Sequence, residues 1–159
     1  MNKAPIISAW RQALSSRLET LQSSQDAARS GTRVDGEHRP SNRGERAAVT
    51  SQGYLAHAFG ARSVTLKTSL EQLDDMGDGP RDEVVIGAVI TIRVDDEAPQ
   101  TLALLPGGDA TVLHVDGREV TVLSASSPLA TQLRDAEVDD TLEVDLSGRV
   151  CELTLLTIA

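Results

Sequence analysis

Aromatic side chains are nearly absent from this chain. Its 159 residues include one Trp, one Tyr and one Phe, and these are Trp10, Tyr54 and Phe59. Residues 60–159 therefore hold nothing on which a nucleobase could stack, which argues against single-strand recognition by that part. Cysteine is equally scarce. The single Cys151 excludes an internal disulfide framework and any CxxC metal site, and such usage points to a reducing, cytoplasmic compartment. No apolar run approaches the ~20 residues that span a bilayer, so no membrane association is expected. The opening MNKAPIISAWRQAL is too polar for a secretory signal. Positive charge is in deficit: 15 Lys and Arg against 24 Asp and Glu leave a net charge of −9. A globally basic nucleic-acid binder is thereby disfavoured. What remains is an ordinary globular composition, 40% apolar and 25% charged.

The charge is unevenly placed. Residues 1–76 carry ten Lys/Arg against eight Asp/Glu, a net of +2, while residues 77–159 carry five against sixteen, a net of −11. The composition changes at Met76-Gly77-Asp78-Gly79-Pro80, where Gly and Pro end a helix. The pattern predicts a helical finger over 1–76 with its tip near 31–42, a linker over 77–82 and a second domain over 83–159.

In the first part Ile7, Trp10, Leu14, Leu18, Leu21 and Ala28 recur at helical steps, and Leu55, Phe59, Arg62, Leu66, Leu70 and Leu73 repeat the spacing. Between them the glycines and proline of residues 30–42 break any helix. Two apolar stripes joined by one breaker satisfy each other by folding back antiparallel. In the second part Val84 to Val94 reads as a long strand and Thr101 to Leu105 as another. Asp116-Gly117 between Thr111–Val115 and Glu119–Leu123 signals a type I′ hairpin. Ser127-Pro128 is a helix start, with Ser as cap and Pro at the first helical position. Strands over Thr141–Asp145 and Arg149–Ile158 flank Leu146-Ser147-Gly148. The expected class is α+β: a helical hairpin followed by an antiparallel sheet with one short helix.

Enzyme constellations are missing. The chain has no GxGxxG, P-loop, GxSxG or HExxH pattern, so it is not expected to be an enzyme. His38, His57 and His114 are too scattered for a metal site, and Cys151 reads as a small buried hydrophobe. The unusual segment is the expected tip, where Arg29, Arg33, Arg39, Arg43 and Arg46 surround Asp35, Glu37 and Glu45. One reading is a solvated loop laced with weak ion pairs. The other uses Asp35 and Glu37 as hard oxygen donors suited to Mg²⁺. Delivered by a finger into another protein's nucleotide site, they could help activate a water for phosphodiester hydrolysis, with Arg33, Arg39, Arg43 and Arg46 contacting phosphate or an acidic wall.

The second part resembles the bacterial GreA/GreB transcript cleavage factor family. Val85-Ile86-Gly87-Ala88-Val89-Ile90 looks like its first strand, and Val122-Leu123-Ser124-Ala125-Ser126-Ser127-Pro128-Leu129-Ala130 with Leu133 looks like its SPLA stretch. In the first part Asn42, Gly44-Glu45-Arg46-Ala47-Ala48 and Gln52-Gly53-Tyr54 are similar to the start of the family's second helix. The resemblance implies a coiled-coil hairpin with an FKBP-like C-terminal domain. It implies a monomeric partner of RNA polymerase that docks through Ser126, Ser127, Pro128 and Leu129 and reaches down the secondary channel. DNA and RNA would then be met only indirectly, within the elongation complex. Asp35 and Glu37 would assist cleavage of backtracked RNA with the polymerase's own Mg²⁺, the chain having no cofactor itself. The family's register places His38 and Ser41 where its two acids stand. A rival expectation is therefore a channel-occupying regulator without cleavage. A prolyl isomerase, the third class, would need an aromatic-lined pocket that residues 60–159 cannot build. A fourth is an acidic adaptor whose Trp10 and leucine stripe engage a foreign helix.

Overall fold

The computed structural model of the chain describes residues 2–30, 43–146 and 148–159. Two long helices come first, α1 (Ala4–Ser30) and α2 (Arg43–Asp75). Strands β1 (Val89–Val94), β2 (Gln100–Leu104), β3 (Asp109–Val115) and β4 (Arg118–Leu123) follow. A short helix α3 (Pro128–Gln132) precedes β5 (Thr141–Leu146) and β6 (Arg149–Ile158). The class is α+β. None of the described helices is long and apolar enough to cross a membrane. The chain forms two compact units, Met1–Gln12 with Ser69–Ala159, and Ala13–Thr68.

The first unit holds a six-stranded sheet in the order β3-β4-β2-β1-β6-β5. Four of its five pairings are antiparallel, but β2 and β4 run parallel. This corrects the expectation of an antiparallel sheet throughout. After β2 the chain skips one place to lay β3 at the edge, and β4 returns into the gap pointing the same way as β2. The crossing is tight. A Cβ at Gly108 would overlap the carbonyl group of Leu123 on β4, so only glycine fits there.

Strand alternation sends side chains to two faces. Ile90, Ile92, Val94, Leu102, Leu104, Leu153 and Leu155 form one buried cluster with Ala130 and Leu133 from around α3. Cys151 is buried in the same cluster, as a small hydrophobe would be. The alternate residues Ala103, Val120 and Val122 are buried as well. The start of α1 contributes Ile6, which lines one cleft with Val115 and Val120, and Trp10, whose Nε1 donates to the Pro106 carbonyl at 2.9 Å. Lys3 is also buried, with Nζ donating to the carbonyls of Gly79 at 2.6 Å and Gly87 at 2.9 Å.

The strand expected from Val84 to Val94 begins only at Val89. Gly87 takes φ +88°, a left-handed conformation that breaks the extended run, and Val84 turns inward to join the core. The Asp116-Gly117 hairpin is as expected, with φ +51° and +73°, the two positive values a type I′ turn requires.

In the second unit the side chain of Gln25 on α1 meets α2, Nε2 donating to the Ala56 carbonyl at 3.2 Å. In the first unit Arg11 of α1 meets Asp74 of α2 at 2.7 Å. Partner numbers fall along α2 as they rise along α1, so the helices pair antiparallel. On α1, Ile7, Trp10, Leu14 and Ala28 are buried as expected, with Leu18 and Leu21 half-buried. On α2 the stripe is offset. Leu55 and Arg62 are exposed, and Ala56 and Ser63 are buried in their place. Counting back from Leu73 in alternating steps of three and four gives Leu70, Leu66, Ser63, Phe59 and Ala56, the inward row of a paired helix. A shift of one residue turns a side chain about 100° away from that row.

Candidate functional site

Two places were expected to carry function, the tip and the Ser126–Leu129 turn. Of the tip residues, Arg33, Asp35, Glu37 and Arg39 lie outside the described residues. Arg43 and Arg46 open α2 and are exposed. The first turn of a helix carries partial positive charge, which repels these guanidiniums and leaves Glu45 as the one residue of that turn suited to it.

The Ser124–Ser127 turn is built by local hydrogen bonds. The Ser126 amide donates to Ser124 Oγ at 3.2 Å, the two hydroxyls share a bond of 2.8 Å, and the Ser127 amide donates to the Ser124 carbonyl at 2.9 Å. Ser127 then caps α3. Its Oγ accepts from the Ala130 amide at 3.2 Å, and its carbonyl accepts from the Thr131 amide at 2.9 Å. Pro128 fills the first helical position, where the missing N–H costs nothing. Gln132 at the end of α3 accepts from the Asp145 amide at 3.2 Å and ties the helix to β5.

This wiring divides the four residues. Ser127 spends its hydroxyl on the cap, and Leu129 packs against the core. Ser126 and Pro128 are exposed and together form a rigid corner whose backbone is held from both sides. A corner of this kind offers shape and a hydroxyl to a partner. The structure brings Ser126 to Leu129 together on one turn and places Arg43 and Arg46 elsewhere, on α2.

Among the described residues no group of three His, Cys, Asp or Glu could hold a metal ion. His57 lies on α2 and His114 on β3, where its Nδ1 sits 3.8 Å from Glu119. Sequence reasoning did not single out the groove between α1 and α2 in the second unit, lined by Gln25, Arg29, His57, Gly60, Val64 and Lys67 among others. The offset of the α2 stripe hid it. Once Ala56 and Ser63 replace Leu55 and Arg62 in the inward row, His57, Val64 and Lys67 fall beside the seam.

A mixed sheet with a serine-capped short helix on its core face, together with an antiparallel helix pair, defines an α+β protein. The family model described as "Transcription elongation factor, GreA/GreB, C-term" matches residues 79–159. The chain belongs to the GreA/GreB family. Among solved structures it is similar to GreA factor homolog 1 (Gfh1) of Thermus thermophilus, at 17% identity, 94% coverage of both chains and a TM-score of 0.38. A second structure of the transcription factor Gfh1 matches at 19% identity, with 94% and 93% of the two chains covered and a TM-score of 0.38. Gfh1 of Thermus aquaticus matches at 16% identity, with 95% and 94% covered and a TM-score of 0.39. No curated protein matches the chain significantly.

Proposed function

We propose that this protein is a transcription factor of the polymerase secondary channel. It binds RNA polymerase through the corner at Ser126–Leu129 and inserts its helix pair, as a coiled-coil finger, into the channel. There Asp35 and Glu37 act on the polymerase's own Mg²⁺ and stimulate cleavage of backtracked RNA. Arg33, Arg39, Arg43 and Arg46 contact the channel or the RNA. The chain does no chemistry of its own, carries no cofactor, works as a cytoplasmic monomer in a bacterium, and meets DNA and RNA only inside the elongation complex. The observation that carries this reading is the GreA/GreB match over residues 79–159.

The test uses stalled elongation complexes with cognate polymerase. Added protein is expected to restore extension and release short 3′ RNA fragments. Asp35→Ala combined with Glu37→Ala should abolish the fragments and leave polymerase binding intact. Unchanged cleavage in that double variant overturns the assignment of the two acids. A second reading is favoured by the register of the tip, where His38 and Ser41 stand at the family's acidic positions. In that reading the protein occupies the channel and lowers transcription without producing short RNA, and deletion of residues 31–45 removes the inhibition.

A further inference from the structure

Gln132 is exposed, yet both ends of its side-chain amide are occupied. Nε2 donates to the Pro128 carbonyl at 3.3 Å, and Oε1 accepts from the Asp145 amide at 3.2 Å. The two partners fix the amide's orientation. A carbonyl calls for the NH₂ group and an N–H calls for the oxygen, so the flipped amide would lose both bonds. Thr131 beside it makes the ordinary bond of a helical side chain to the carbonyl four residues back, from Oγ1 to Ser127 at 3.0 Å. Gln132 does the same and also leaves the helix for β5.

The two partners define what this bridge does. β5 is an edge of the sheet, and Asp145, opposite Val150 of β6, turns its N–H to Gln132. Asp145 is itself fixed, because its Oδ1 accepts from the Gly148 amide at 2.6 Å. Pro128 has no N–H, so its carbonyl is the one backbone polar group by which it can be held. α3 has five residues, too few to persist without outside contacts. Ala130 and Leu133 anchor its inner side in the core, and Ser124 and Ser127 hold its start. Gln132 adds a tie on the outer side, where Pro128 is exposed, and fastens that side to the sheet edge.

We propose that Gln132 is a positioning residue for docking at the corner. It braces Pro128 against β5 and so sets the pose in which Ser126 and Pro128 meet the partner. The inference rests on the reading that this corner binds RNA polymerase. A braced corner loses little conformational freedom on docking, and the brace carries no charge that would steer the encounter. Its loss therefore acts on the dissociation rate.

The experiment uses the full chain and immobilised cognate RNA polymerase, with binding followed in real time. Gln132→Met keeps the side-chain length and the helix propensity and removes both bonds. It should dissociate about fivefold faster, the order of one neutral hydrogen bond, with an association rate within about twofold of the parent's. Gln132→Ala should behave alike. In the free protein labelled with ¹⁵N, Gln132→Met should speed hydrogen exchange of the Asp145 amide and shift the Leu129 amide, which shares a peptide group with the Pro128 carbonyl. Pro128→Ala should speed dissociation by itself. Adding Gln132→Met to it should change the rate by less than about twofold, because a brace without its proline has nothing to place. The proposal is overturned if the Asp145 amide exchanges as in the parent, or if the two substitutions multiply, which would make Gln132 a polymerase contact in its own right. A parent that binds and a Pro128→Ala variant that loosens, with Gln132→Met unchanged, refute the brace alone. A parent that fails to bind polymerase, or a Pro128→Ala variant that dissociates as the parent does, refutes the corner assignment itself and the proposal with it.

Discussion

Replacing Trp10 by Phe tests how the start of α1 is held to the sheet. Trp10 is fully buried, and its Nε1 donates to the Pro106 carbonyl at 2.9 Å in the connection between β2 and β3. Phenylalanine keeps a six-membered ring and loses the donor. A buried acceptor left without a partner costs ~1–3 kcal/mol, and the space vacated by the smaller side chain adds a cavity cost. The sum is about 2–4 kcal/mol. Against a typical stability of ~5–15 kcal/mol this is a large fraction, and it lowers Tm by roughly 5–15 °C in a chain of this size. Because Trp10 is the sole tryptophan, the tryptophan emission is lost with the substitution. The comparison is therefore made by circular dichroism in urea, with the midpoint and slope fitted for both proteins. An unchanged slope with a lower midpoint is the expected result. A loss below ~0.5 kcal/mol would mean that the Pro106 carbonyl finds another donor and that the ring space refills, which defeats the reasoning.

Two other substitutions follow from the same kind of accounting. Ser127→Ala removes the cap of α3 and should cost ~0.5–2 kcal/mol, with Ser127→Asp restoring most of it; equal thermal midpoints for parent and alanine variant refute the cap. Lys3 has its ammonium held below the ordinary lysine value of 10.5, first by burial and then by Arg81, against an opposing pull from Asp78. Between that lowered value and 10.5 the unfolded chain binds more protons than the folded one, so stability rises with pH across the window. Below the window the charged Lys3 imposes a constant cost. In Lys3→Met the rise should be absent from urea midpoints taken up to the ordinary lysine value, and an identical pH dependence in the two proteins refutes the burial argument.

Local chemistry was readable in the sequence and tertiary pairing was not. The Asp116-Gly117 turn and the Ser127-Pro128 start each depend on one or two residues whose conformational demands are intrinsic, and both formed as expected. The β5–β6 hairpin was legible for the same reason. The run from Val84 to Gly87 was misleading because its β-branched residues fit a strand, while the left-handed backbone at Gly87 and the inward turn of Val84 depend on neighbours far along the chain. The parallel pairing of β2 with β4 likewise follows from where β3 is laid, which no single segment encodes. On α2, Leu55 attracts the eye by hydrophobicity, yet Ala56 takes the inward place. Paired helices approach closely through small residues, and a search for large apolar groups passes over them. The same bias hid the groove, which Gly60 lines. The Ser126–Leu129 corner was legible as a motif, but its division into a capping Ser127 and an exposed Ser126 with Pro128 needed the hydrogen bonds.

The charge asymmetry bears on kinetics more than on affinity. Residues 77–159 carry a net of −11, and several of those acids have internal partners: Asp95 holds Arg149 at 2.8 Å and accepts from the Glu152 amide, Asp109 accepts from the Thr111 amide and hydroxyl, and Asp140 and Asp145 accept from amides of their own turns. Under the proposed docking, the field of the excess acid over residues 77–159 would steer them toward a basic surface and raise the association rate at low salt. At physiological ionic strength that field is screened within ~8 Å, too short a reach to set the lifetime of a complex. Under the proposed docking, residence would come from close contacts at the exposed corner of Ser126 and Pro128, where local hydrogen bonds hold the backbone and little conformational entropy is lost. Acidic substitutions on the sheet surface would therefore act through the association rate and its salt dependence, and changes at Pro128 through the dissociation rate, because the two sets of residues act at different distances from the partner.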